Sequence, residues 1–135
     1  MIALDTNVLV RYLVADDTRQ AEAARVLLAG LTTVRSAFVC REVTVELVWV
    51  LERAYRFSRD RISTVLEELV ATEELEFETV DDVASAAHRY RKGGADFSDL
   101  MIAAAARRSG AQPLYTFDRR ASGLEGIELV KEPGS

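Results

Sequence analysis

Ile2-Ala3-Leu4-Asp5-Thr6-Asn7-Val8-Leu9-Val10 is the stretch on which the fold turns. Ile2 to Leu4 is a short apolar run that stops on an aspartate, as a buried strand does at its C-terminal edge. Thr6 and Asn7 supply capping side chains, and Val8, Leu9, Tyr12 and Leu13 then recur at helical spacing. A strand that hands over to a helix at an acidic residue is the unit from which open α/β sheets are built, and ligands sit just beyond such strand ends.

The same alternation continues outward. A second helix is predicted from Thr18 to Ala29 with Gly30 as its stop, then a strand at Ser36 to Val39 and a helix over Arg41 to Tyr55. Ser58-Arg59-Asp60-Arg61 opens a further helix, striped by Ile62, Val65, Leu66, Leu69 and Val70. Leu75 to Val80 alternates apolar and acidic residues like a strand, and Asp81-Asp82 begin a helix through Tyr90. Gly93-Gly94 break the chain before Asp96-Phe97-Ser98-Asp99, which cap an alanine-rich helix, Leu100 to Arg108, ended by Gly110. Strands are predicted at Pro113 to Phe117 and Ile127 to Val130, with residues 132–135 a frayed tail. Strands alternating with helices, with no repeat or linker, predict one α/β domain over residues 1–135 with a short, mostly parallel central sheet.

Composition agrees with that size. A chain of 135 residues, 49% hydrophobic and 29% charged, suits one core and is neither disordered nor membrane-spanning. No secretory leader is visible before Asp5, and Cys40 has no partner for a disulfide, so a reducing cytoplasm is the expected compartment. Cys40 reads as a small core residue. The net charge of −5 argues against a broad basic surface. Lys92 and Lys131 are the only lysines, however, so 15 of the 17 basic residues are arginine, whose planar fork suits local phosphate contacts.

Most of the acids, among them Glu22, Glu52, Glu67, Glu68, Glu73, Glu74, Glu76 and Glu78, read as solvated charges. Others resist that reading. Asp5 follows a strand, although it also suits a helix N-cap. Glu46 shares a helix face with Val43, Leu47 and Val50, which points it toward the core. A carboxylate there costs several kcal/mol unless it is paired with an arginine or bound to a cation. Asp96 and Asp99 flank a helix start, where either can cap. Asp118 ends a strand, where an Asx turn is the plain alternative. Gathered together, such carboxylates repel one another unless a divalent cation neutralises them. Hard oxygen donors suit Mg²⁺ or Mn²⁺, and one histidine (His88, read as a surface residue) with one cysteine excludes an ordinary zinc site.

Four blocks in order, Leu4 to Val10, Glu46 to Leu51, Gly94 to Ala103 and Thr116 to Arg119, give the chain a resemblance to the PIN-domain family along essentially its whole length. More narrowly, it resembles the VapC ribonuclease toxins of bacterial toxin–antitoxin pairs. The resemblance implies a three-layer PIN-like fold and a Mg²⁺- or Mn²⁺-dependent endoribonuclease that cleaves structured RNA. It implies Asp5, Glu46, Asp99 and Asp118 as catalytic and metal-binding residues, and Asp96 as an alternative ligand or a residue supporting the ligands. Thr6, Asn7 and Thr116 are implied as groups that orient the acids or water. A homodimer and a VapB-type antitoxin are the implied partners, and the helices around Ala21 to Leu28 and Ile62 to Val70 are candidate surfaces for them. Arg11, Arg41, Arg119 and Arg120 are equal candidates to guide the phosphate backbone.

Two rival functions stand beside this one. A phosphatase or phosphotransferase could use Asp5 as nucleophile, but Asn7 occupies the place where haloacid-dehalogenase-like enzymes carry a second aspartate. A non-catalytic partner-binding module is the other.

Overall fold

The structure is a computed structural model and describes residues 1–134; the last residue of the expected tail lies outside the described residues. The elements run β1 (Ile2–Ala3), α1 (Thr6–Leu13), α2 (Thr18–Ala29), β2 (Ala37–Val39), α3 (Arg41–Arg53), α4 (Arg59–Val70), β3 (Leu75–Phe77), α5 (Val80–Arg91), α6 (Phe97–Ser109), β4 (Leu114–Thr116) and β5 (Ile127–Leu129). Parallel pairing joins β1 to β2, β2 to β3, and β4 to β5. Parallel neighbours cannot be joined by a tight hairpin, so helices supply the crossovers: α1 and α2 link β1 to β2, and α3 and α4 link β2 to β3. This is the parallel α/β architecture that the alternating sequence predicts, in the three-layer form that the resemblance implies.

The helices meet through apolar stripes with a period near 3.6. On α3 the buried side chains are Val43, Thr44, Leu47, Val48 and Leu51; on α4 they are Ile62, Ser63, Leu66 and Leu69. Leu47 and Leu51 are fully shielded from solvent, and each such leucine contributes about 1.5–3 kcal/mol of burial. Small residues bring α4 and α5 together, where the buried Ser63 hydroxyl donates to the Ala87 carbonyl at 3.0 Å. Cys40 is half-buried against the same core, and His88 is exposed.

Several local expectations are corrected. The strand predicted over Leu75 to Val80 ends at Phe77. There the Glu78 carboxylate turns back to accept the Arg41 backbone N–H at 2.9 Å, and Thr79 takes a left-handed φ of 52°. Val80 therefore opens α5. Glu78 is a capping group, not a solvated charge, and Glu52 likewise is spent, accepting the Tyr90 hydroxyl. Thr6 does not cap α1 but begins it; Asp5 occupies the cap position. The alanine-rich helix starts at Phe97, three residues earlier than predicted, because Asp96 already holds the extended N-cap conformation.

Candidate active site

Each candidate residue owes its place to the end of an element. Asp5 sits where β1 gives way to α1, with one carboxylate oxygen accepting the Thr6 N–H at 2.7 Å. An N-cap normally reaches the N–H two or three residues on; this short bond to the next residue leaves Asp5 exposed. Behind it, Thr6 is buried to 5% exposure, and its Oγ1 has no hydrogen-bond partner among the described residues. A shielded hydroxyl left unpaired costs about 1–3 kcal/mol. Asn7 is exposed on the first turn.

Glu46 is not turned into the core, and this corrects the helix-face argument. The buried stripe of α3 passes through residues 43, 44, 47, 48 and 51, and Glu46 falls just outside it on the side shared with Glu42 and Trp49. A side chain adjacent to a helix stripe can lean out of it, and a carboxylate gains hydration by doing so. Glu46 lines an open groove of about 690 Å³ with Trp49, Arg41, Ser98, Met101 and Ile102, so it faces the first turns of α6. It accepts no hydrogen bond and joins no ion pair among the described residues.

Asp99 is in the first turn of α6, half-buried and likewise without an ion-pair partner among the described residues. Its carboxyl is pushed above the ordinary aspartate value, first by burial and then by the negative charges of Asp118 and Asp96; Arg120 pulls the other way. Asp118 follows β4. Its side chain makes the Asx turn that composition suggested, accepting the Arg120 N–H at 2.8 Å, while its own N–H donates to Thr116 Oγ1 at 3.0 Å. Thr116 thus fixes the backbone from which Asp118 projects.

Asp96 behaves differently. It stands at the N-cap of α6 without a capping bond, because its oxygens face Arg59 at 3.6 Å and Arg120 at 3.5 Å. Arg59 also donates to the carbonyls of Tyr90 and Ala95 and lies over the Tyr90 ring, 4.3 Å from its centre. It thereby anchors the Gly93–Ala95 loop that leads into α6. Nothing in the local sequence signals this role for Arg59, since its partners lie more than thirty residues away.

The charges of Asp118 and Asp96 thus both act on Asp99. Among the described residues, no three acidic, histidine or cysteine side chains converge closely enough to ligate one cation directly. The donor chemistry nevertheless suits a hard cation. Mg²⁺ keeps several waters and is commonly held by only one or two carboxylates, and a cation beside Asp99 would remove the repulsion that raises it. Of the four arginines, Arg11 is held by Asp16, Gln20 and Tyr55, and Arg41 by Asp82, Thr79 and the Met101 carbonyl. Arg119 and Arg120 remain exposed beside Asp118.

The PIN domain family model matches residues 2–126. Among curated proteins, the chain is similar to a VapC ribonuclease of Aquifex aeolicus (strain VF5), 28% identical over 120 residues that cover 89% of each chain.

Proposed function

Because the chain belongs to the PIN domain family, we propose that it is a divalent-metal-dependent endoribonuclease of the VapC type, acting on structured RNA. The observation that carries this reading is Asp99: a half-buried carboxyl in no ion pair among the described residues, raised by burial and then by Asp118 and Asp96 at the start of a helix. Such a group destabilises the fold as a structural element and is suited to a cation. Asp5, Glu46, Asp99 and Asp118 are the proposed catalytic and metal-binding set, with Asp96, Thr6, Asn7 and Thr116 supporting them.

When bound, Mg²⁺ or Mn²⁺ acidifies a water and offsets charge on the leaving oxygen. Glu46 would hold the cation from the α3 side of the groove. Asp99 and Asp118 would hold it from the α6 and β4 side, and the Thr6 hydroxyl would steady Asp5 or a neighbouring water. Water attacks phosphorus and releases a proton to solvent, the bond to the 3′ oxygen breaks, and that oxygen takes up a proton from solvent. The products are 5′-phosphate and 3′-hydroxyl ends. Arg119, in no ion pair among the described residues, and Arg120, whose contact to Asp96 is a long 3.5 Å, are proposed to meet the phosphate backbone, since Arg11 and Arg41 are held more closely elsewhere.

Partners follow the same reading. Of the two helices expected to present docking surfaces, α4 spends its stripe in the core, whereas α2 leaves Val26 and Leu27 exposed beside Met1 and Ile2. That apolar shelf is the proposed seat of an antitoxin segment. The Trp49 and Ile102 end of the groove, where these side chains are 59% and 53% exposed, is proposed to meet a second copy, leaving the Glu46 end open to RNA. Arg53 lies against the Trp49 ring, and exposed aromatic and arginine side chains together suit a protein–protein contact. No helix among the described residues is long and apolar enough to cross a membrane, and the cytoplasm is the proposed site of action.

The test is to express the protein briefly in cells and sequence the 5′-phosphorylated RNA ends that appear. A small set of recurrent cut sites, lost with Asp5→Ala, supports the proposal. An unchanged end profile, or trapping of an aspartyl-phosphate on Asp5, defeats it.

A further inference from the structure

Sequence composition offered Arg41 as a phosphate guide, but the structure gives its side chain other work. The guanidinium, 20% exposed, donates through Nη1 to Asp82 Oδ2 at 2.9 Å and to Thr79 Oγ1 at 2.6 Å. Through Nη2 it donates to the Met101 carbonyl at 2.7 Å. That last bond is the one hydrogen bond joining α3 to α6 among the described residues. Asp82 strengthens the junction from α5, since its other oxygen takes Arg108, near the end of α6, at 2.5 Å. Thr79 is a β-branched residue held at a left-handed φ of 52°. Such a conformation persists only where neighbours enforce it, and the Arg41 bond is one of those constraints.

The position of this junction matters more than its strength. Glu46 lies five residues beyond Arg41 on α3, about 7.5 Å along the axis, and Asp99 two residues before Met101 on α6, about 3 Å. Glu46, Arg41, Met101 and Ser98 line one groove. We propose that Arg41 is a positioning residue that locks α3 against α6 and so sets the span between Glu46 and Asp99. The inference rests on the metal-site reading given under Proposed function. Metal–oxygen distances for Mg²⁺ tolerate little error, and groups that orient ligands from behind commonly alter metal affinity by about 10–100-fold when removed.

Mn²⁺ binding, read from the loss of the free-ion signal in electron paramagnetic resonance, tests the proposal without relying on turnover. Arg41→Met is expected to weaken Mn²⁺ binding by at least about 10-fold. Arg41→Lys keeps a charge for Asp82 but cannot also serve the Met101 carbonyl; it is expected to bind with intermediate affinity at a melting temperature close to that of the natural chain. High Mn²⁺ should restore its turnover, which a general fold defect would not allow. Arg61→Met, a control at a residue stacked on Phe57, should leave Mn²⁺ affinity unchanged. Unaltered Mn²⁺ affinity in Arg41→Lys overturns the positioning role, and that variant decides the matter if Arg41→Met does not fold. Failure of the underlying site reading has a different signature: the natural chain takes up no Mn²⁺, or Glu46→Gln takes it up equally well.

Discussion

Replacing Asp99 by Asn removes one negative charge from the group it forms with Asp96 and Asp118 while keeping the side-chain shape. Its carboxyl is raised in the folded state, chiefly by burial and then by those two neighbours. For a group with a raised folded value, the stability it contributes is complete below the unfolded value and is lost as pH rises through the folded one. At neutral pH the natural chain therefore carries the full penalty, and Asp99→Asn relieves it. Because the carboxyl is only partly shielded, solvent screening limits the relief to about 1 kcal/mol. Unfolding entropy of about 2.1 cal/mol/K per residue, over 135 residues, makes that a rise of about 3–4 °C in melting temperature. Melts in EDTA at pH 7.5 should show the gain, and it should shrink as pH falls through the Asp99 transition. Magnesium at ten times its dissociation constant should reverse the order, lifting the natural chain by about 1.4 kcal/mol, or about 5 °C, and the variant hardly at all. An Asn variant that melts lower than the natural chain in EDTA at pH 7.5 would show that burial and the neighbouring carboxylates do not penalise the Asp99 charge.

Three further outcomes are expected. Leu47→Ala, at a fully buried position of α3, should cost about 3 kcal/mol and lower the melting temperature by about 10 °C in a thermal scan. Arg120→Ala removes the cation that holds the Asp99 carboxyl down, so the acidic limb of the pH–rate profile for RNA cleavage should move to higher pH; a shift to lower pH would contradict the sign. Trp49→Asp places a charge in the proposed contact between copies and should convert a dimer to a monomer in analytical ultracentrifugation, whereas Val26→Asp on the antitoxin shelf should not.

The order of elements was open to sequence because its cues are local. The apolar run before Asp5, the period-3.6 stripes of α3, α4 and α5, and Gly110 with its positive φ after α6 all lie within a turn or two of the feature they predict. Asp118's Asx turn is equally local, spanning only residues 118 and 120. The direction of Glu46 was not legible, because a stripe two residues wide has edges and hydration decides which way an edge residue leans. The roles of Arg41 and Arg59 were hidden for another reason. Their carbonyl and carboxylate partners lie 31 to 60 residues away, and main-chain oxygens carry no sequence signature at all. Asp96 reads as a cap in sequence for the same reason: nothing nearby announces the two arginines that claim its oxygens.

The proposed site requires oxygen donors at the ends of β1 and β4, in the second turn of α3 and in the first turn of α6 to serve one cation, directly or through water. Crystals soaked in Mn²⁺, with data collected at the manganese absorption edge, test that most directly. The account predicts an anomalous peak within about 2.2 Å of an Asp99 carboxylate oxygen, with Asp118, Asp5 or Glu46 reached directly or through one water. A strong peak elsewhere on the molecule, or none beside Asp99 at saturating Mn²⁺, would contradict it.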